Sequence, residues 1–311
     1  MTRSMTGLAA AAILAAAPAI AQPLLSPEQL AGKLDEENLV VLDIRSQGEA
    51  ATHPFEGGRV AGAVKADYRD GWRVTRDGVP GMLPPLRDVA ALIGGFGVDN
   101  DDHVVIANLG EGANGVDMGA ATRVYWTFKL LGHEDVSILE GGWRAWEAAG
   151  LPVESGPAEA PEPAEFAVDF QDHLYADAAD VGRAIADPNG LLLDGRPAAQ
   201  FDGAEKSGVV ARAGALPGAA NYPVQSMVTD NGGRFADPAE IAARLSEIEA
   251  RAGAPTTIAY CNTGHWASLA WFAASEIAGR PGVAVYDGSM ADWAAAPVRP
   301  VIASGGASPS N

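Results

Sequence analysis

The 311-residue chain has one cysteine, Cys261, so no disulfide can close within it, and that thiol is either reactive or inert packing. Only 21 residues are Lys or Arg against 40 Asp or Glu, which leaves a net charge of −19. Without a cluster of Lys and Arg, that balance argues against nucleic acid or anionic membrane as a partner, because both need cations gathered on one surface. It also requires any anionic substrate to find a local positive field. No stretch reaches the ~18 continuous apolar residues of a membrane span. The apolar run at 7–21 follows Arg3 and ends in Ala19, Ile20 and Ala21, the small-x-small pattern of a signal peptidase site. Residues 1–21 therefore read as a cleaved signal peptide. The mature protein is expected to be periplasmic or secreted, with no membrane insertion after cleavage.

With 48% hydrophobic residues, the remainder can bury real cores. Two stretches, 153–165 and 299–311, are rich in Pro, Ala, Gly, Ser and Glu without apolar periodicity. They read as a linker and a flexible tail that should not pack. They bound two domain-sized segments, 24–152 and 166–298.

The two segments look like repeats. Residues 39–45 (LVVLDIR) parallel 191–196 (LLLDGR), short apolar runs that end in Asp-x-Arg as buried strands leading into polar loops would. Residues 58–63 (GRVAGA) parallel 214–219 (GALPGA), and the strand patterns at 104–107 and 257–260 each precede a loop and a helical run. Each repeat closes alike, with Gly141 matching Gly288 and Trp146 matching Trp293. Ser26 and Asp237 each stand before Pro, with Gln29 or Glu240 placed to cap a helix start. Continuous apolar strands alternating with helices predict an α/β fold, each domain a mainly parallel sheet flanked by helices. Ligands of such sheets bind beyond the carboxyl ends of strands.

Cys261 lies at that place, between the strand pattern 257–260 and a helical run at 267–278. Backbone N–H groups at a helix N-terminus favour an anion, hence a thiolate or persulfide. Gly264 lets the loop curl tightly, Asn262 and Thr263 can add side-chain donors, and His265 could give a partial positive charge or a hydrogen bond. Trp266 either shields the sulfur or packs. In the first repeat, 110–115 formally matches G-x-G-x-x-G but reads better as a flexible loop than as a dinucleotide site.

Two repeats with Asp-x-Arg strand ends, Gly-x-x-x-Gly-Ala elements and closing Gly…Trp motifs, with Cys only in the second loop, resemble the two-domain rhodaneses. The resemblance implies two tandem rhodanese-like domains, 24–152 without an active Cys and 166–298 catalytic. It implies a sulfurtransferase in which Cys261 takes a sulfane sulfur from a small anionic donor, thiosulfate or 3-mercaptopyruvate, as a persulfide. A thiol or cyanide acceptor then removes it. Neither metal nor organic cofactor is implied. By similarity Arg196 is expected to contact the donor anion, although Arg45 and Arg196 recurring at both strand ends would also fit structural pairs with Asp43 and Asp194. The loop, Asn-Thr-Gly-His-Trp, departs from the Arg- and Lys-bearing loops of thiosulfate-preferring members and from the Gly- and Ser-bearing loops of mercaptopyruvate-preferring ones. A related cysteine phosphatase would need Arg at position 267, which is Ala. A cysteine hydrolase would need a base such as His53, His103, His133 or His173 beside Cys261. The alternative outside enzymes is a sulfur carrier serving one protein partner. Oligomeric state is not given by the sequence, a monomer being the simpler expectation.

Overall fold

The apolar runs of each half lie side by side as parallel strands, in a computed structural model that describes residues 21–46, 53–252 and 256–303. Across the first sheet the order is Leu24–Leu25, Val136–Leu139, His103–Ala107, Leu39–Asp43 and Val64–Lys65. Across the second it is Tyr175–Ala176, Val283–Tyr286, Thr256–Tyr260, Gly190–Asp194 and Ala220–Asn221. The strands occupy matching places, every pairing is parallel, and the repeat read from the sequence is a duplicated fold. His103–Ala107 is buried along its whole length, as a central strand covered on both faces must be. Helices α1 (Pro27–Ala31), α2 (Leu86–Gly95), α3 (Val116–Leu130) and α4 (Gly142–Ala148) flank the first sheet. Helices α5 (Ala178–Ala186), α6 (Ala198–Phe201), α7 (Pro238–Ala252), α8 (His265–Phe272) and α9 (Ser289–Trp293) belong to the second. The expected capping box forms at α1, where the Ser26 side chain accepts from Gln29 N and the Gln29 side chain accepts from Ser26 N.

Matching side chains do matching work in the two repeats. Arg45 bonds both oxygens of Asp43 and donates to Gly58 O at 2.8 Å; Arg196 bonds both oxygens of Asp194 and donates to Gly214 O at 2.9 Å. Trp146 donates to Pro152 O at 2.9 Å and Trp293 to Pro300 O at 2.8 Å, so each closing motif ties the chain end to its own domain.

The domains meet through the helices that follow their central strands. Every residue of α3 from Asp117 to Leu130 is buried, because one side of the helix faces its own sheet and the other packs on α8. Tyr125 meets Phe272 edge-on at 4.8 Å, and the hydroxyls of Thr122 and Ser268 lie 3.3 Å apart. Gly119 is needed at this crossing, since a Cβ there would stand 2.6 Å from His265 Nε2.

Both low-complexity stretches pack more than their composition suggests. Val153–Glu154 pairs antiparallel with Arg59–Val60, Ala164 N donates to Gly94 O, and Arg59 donates to Gly156 O at 2.8 Å. Phe166 sits edge-on against Phe128, and Asp169 N and Gln171 N donate to Leu131 O and Leu130 O. Residues 153–171 are thus strapped to the first domain, and the second begins nearer Asp172 than 166. At the other end, Ile302 exchanges backbone bonds with Ala215 at 2.7 and 2.9 Å, so 299–303 are anchored. Residues 304–311, and the expected signal peptide apart from Ala21, lie outside the described residues. No described helix is long and apolar enough to cross a membrane.

Candidate active site

The central strand Thr256–Tyr260 delivers Cys261 to the carboxyl edge of the second sheet, and α8 starts four residues later. The thiol is 1% exposed. Gly264, the residue before α8, has φ +79°, and a Cβ there would meet Arg123 Nη1 and Asp287 O, each at 2.7 Å. Only glycine suits that turn. Met290 N donates to Cys261 O at 3.0 Å and Ala291 N to Asn262 O at 2.9 Å, which fixes the start of the loop against α9.

A residue that the sequence reading passed over closes the loop. Ser289 Oγ accepts from Cys261 N at 3.1 Å and from Gly264 N at 3.0 Å, and donates to Tyr286 O at 2.8 Å. It holds φ +48°, a left-handed conformation that its counterpart Gly142 also adopts at +56°. That match was a usable signal: a serine stands where the other repeat needs glycine. Among the described residues, no protein acceptor takes the N–H groups of Asn262, Thr263, His265, Trp266 or Ala267. These donors, at the start of α8 and next to the thiol, are available to an anion.

The loop's own side chains are largely committed. Asn262 Nδ2 donates to Gln200 Oε1 at 2.8 Å, leaving its buried Oδ1 without a partner among the described residues. Trp266 is partly buried against the main core, with its indole N–H without a partner among the described residues. His265 corrects the expectation of a partial positive charge. One of its ring nitrogens, Nε2, meets Val116 O at 2.8 Å, and the other, Nδ1, meets Tyr68 Oη at 2.8 Å. The carbonyl can only accept, so Nε2 carries the proton and Nδ1 accepts from the tyrosine. Burial, with Arg73 and then Arg123 nearby, drives its pKa down to about 3, so the ring is neutral and spans the domains. For Arg196 the structural reading is the one the geometry shows: both members of its pair with Asp194 are buried, Nε and Nη2 bond that carboxylate, and Nη2 also donates to Gly214 O. Arg196 braces the strand end beneath the loop.

First-domain groups form the ceiling. Arg73 donates through Nε to Gly81 O at 2.9 Å and through Nη2 to both Thr263 O and Thr263 Oγ1, the latter at 2.9 Å. Arg123 and Asp287 make a fully buried ion pair at 2.6 Å across the interface, and Leu83 N adds a bond to Asp287 at 2.8 Å. None of these was legible locally, because each joins residues far apart in the chain. The other histidines stand elsewhere: His103 on Ser137, His133 on Asp135 O, His53 beside Arg144, and His173 in the turn Asp172–Leu174. No hydrolase-like pair with Cys261 forms among them.

The equivalent loop of the first domain keeps the frame and changes the content. Trp143 N donates to Asn108 O at 2.8 Å and Arg144 N to Leu109 O at 3.0 Å, the counterparts of the bonds at Cys261 and Asn262. Here, however, the buried carboxylate of Asp117 accepts from Asn108 Nδ2 and Gly110 N, both at 2.7 Å, and from Leu109 N at 3.2 Å. Residues 109–119 are therefore not the open loop expected from their glycines. They brace α8 through Val116 O and meet the second domain where Gly112 N donates to Asn231 O at 2.8 Å.

The rhodanese-like domain family matches the chain twice, at 26–149 and 177–296. "Probable 3-mercaptopyruvate sulfurtransferase" of Pseudomonas aeruginosa is 34% identical over 288 residues, covering 89% of this chain and 97% of that protein. Thiosulfate sulfurtransferase of Bos taurus is 33% identical over 216 residues, covering 68% and 69%. Among solved structures, the 3-mercaptopyruvate sulfurtransferase SseA of Escherichia coli superposes with a TM-score of 0.70 at 26% identity, over 86% of this chain and 98% of that one. Two matched domains, one duplicated sheet order and relatives of this identity over most of its length place the chain in the rhodanese family, as a tandem-domain member whose homologues are thiosulfate and 3-mercaptopyruvate sulfurtransferases.

Proposed function

We propose that the chain is a sulfurtransferase that carries a sulfane sulfur as a persulfide on Cys261. The donor is a small anion such as thiosulfate or 3-mercaptopyruvate, and the acceptor is a thiol or cyanide. One observation carries this reading: the same backbone frame is filled by the Asp117 carboxylate in the first domain, whereas in the second it holds a thiol beside uncommitted N–H donors. A cradle of that kind stabilises the negative charge of a persulfide without help from a loop cation. In the first half-reaction Cys261 Sγ bonds to the outer sulfur of thiosulfate, the S–S bond of the donor breaks, and sulfite leaves with the electron pair. The 1% exposure of Cys261 favours a small donor over a docked protein. We further propose that residues 1–21 are removed on export, which the N-terminal mass of protein recovered from the periplasm tests.

The sulfur-transfer test is intact mass after thiosulfate or 3-mercaptopyruvate, with and without cyanide. A gain of ~32 Da that cyanide removes is the expected result. No gain with either donor would sink the reading.

A further inference from the structure

We propose that Arg73, a residue of the first domain, is the cation that binds and charge-selects the sulfur donor at Cys261. This rests on the persulfide reading above and names the group that holds the anion. The loop 262–266 contains no Lys or Arg, and the chain as a whole is strongly acidic. Of the arginines around the loop, Arg196 is neutralised by Asp194 and Arg123 by Asp287, both in buried pairs. Arg73 differs. Its hydrogen bonds run to neutral oxygens alone, Gly81 O, Thr263 O and Thr263 Oγ1, and among the described residues it meets no carboxylate. A partly buried guanidinium without a counter-ion is costly unless an anion completes it. The bonds to Thr263 place it two residues from the thiol, and Tyr68 lies within the electrostatic reach of both Arg73 and Cys261.

The other side of the pseudo-symmetric interface supplies the control. The first-domain hairpin Val74–Arg76 and Val79–Met82, which carries Arg73 at its start, reaches over the second-domain loop. The second-domain hairpin Val228–Thr229 and Arg234–Phe235 reaches over the first-domain loop in return. Its arginine, Arg234, stands at the start of the second strand rather than before the first, so it matches Arg73 in surroundings and not in position, and it is neutralised by Glu140 at 3.2 Å and Asp230 at 3.6 Å. Where the loop already contains a carboxylate the overlying arginine is paired, and where the loop contains the thiol it is left unpaired. Gly81 makes room for this arrangement, since a Cβ there would lie 2.0 Å from Arg73 Nη2.

The test uses a charge-matched pair of alkylating probes on the full chain, iodoacetate and iodoacetamide, with thiosulfate loading measured beside them. In each alkylation Cys261 Sγ bonds to the probe carbon and iodide leaves, so no persulfide chemistry is required. For Arg73→Gln the iodoacetate-to-iodoacetamide rate ratio should fall about ten-fold, and the thiosulfate concentration for half-maximal loading should rise by a similar factor. Arg73→Lys should recover most of both, and Gly81→Ala should reproduce the loss with the arginine still present. Equal slowing of both probes would assign Arg73 a purely structural role and overturn the proposal, as would an unchanged ratio or a wild-type thiol inert to both. A wild-type chain that shows the charge preference yet never gains sulfur would sink the sulfurtransferase reading while leaving the anion site standing.

Discussion

After the central strand of the first sheet the chain passes through Asn108 into a loop that folds around Asp117. After the central strand of the second it passes through Cys261 into a shorter loop whose N–H donors, apart from that of Gly264, which Ser289 Oγ accepts, face no protein acceptor among the described residues. The hydrogen bonds that anchor the two loop starts are the same, at 2.8 and 3.0 Å in one and 3.0 and 2.9 Å in the other. Duplication therefore preserved a backbone cradle for negative charge. One copy satisfies it with its own carboxylate and becomes structure; the other leaves its donors open, the place where the proposed function puts a sulfur anion. In the first copy Asp117 accepts from Asn108 Nδ2, Leu109 N and Gly110 N, so its buried donors are not left unpaired.

Exchange of the residues at these positions should give the largest effect. Cys261→Ser is expected to abolish sulfur loading with the fold intact. Asn108→Cys, which sets a thiol at the matching place in the first domain, should gain no sulfur, because Asp117 already occupies the donors. Intact mass after thiosulfate reads both variants, and loading at position 108 would mean that the carboxylate is not what silences the first copy.

Arg196 comes next. Removing one partner of a buried ion pair costs roughly 3–5 kcal/mol. Arg196→Ala should lose stability on that scale in denaturant unfolding, as should Arg45→Ala in the first domain, while the folded fraction of each still loads sulfur at an unchanged half-saturating thiosulfate concentration. A selective rise in that concentration for Arg196→Ala would return the residue to the donor site.

Ser289 should give a smaller change. Ser289→Ala strands the N–H groups of Cys261 and Gly264, which a buried hydroxyl now satisfies. Leaving buried donors unpaired costs roughly 1–3 kcal/mol. Thermal unfolding checks the loss, and slower loading should accompany it because the loop is less firmly held.

The sequence shows what depends on local pattern. Strand runs, repeat offsets, the helix cap at Ser26 and the position of Cys261 at a strand end follow from periodicity and turn chemistry within a few residues. The ceiling over the thiol does not, because Tyr68, Arg73 and Arg123 reach their partners across the chain through the packing of α3 on α8. Arg196 left two readings open, because an arginine after a strand looks the same whether it points at a ligand or folds back onto the aspartate two residues before it; the structure shows the second. The stretch 153–165 misled because composition reports side chains, whereas this segment is held mainly through its backbone, at Val153–Glu154 and Ala164.

The subtlest difference between the two loops is their response to acid. His265 has no counterpart in the first-domain loop, and in the folded chain its pKa is about 3 against an ordinary 6.5, chiefly because burial disfavours the imidazolium and Arg73 and Arg123 repel it. Below pH 6.5 the unfolded chain binds a proton there that the folded chain refuses, so the contribution of this residue to stability is complete above 6.5 and is lost as pH falls toward 3. The slope is about 1 kcal/mol per pH unit. Burial also lowers the pKa of His103 and His133, so the wild-type decline contains several such components. His265→Gln can still donate to Val116 O but cannot take the proton. Urea unfolding at pH 7 and pH 5 should therefore show a shallower loss in the variant than in the wild type. Equal losses would mean that the charged ring is tolerated between the domains, and that His265 could after all present a positive charge to a donor anion.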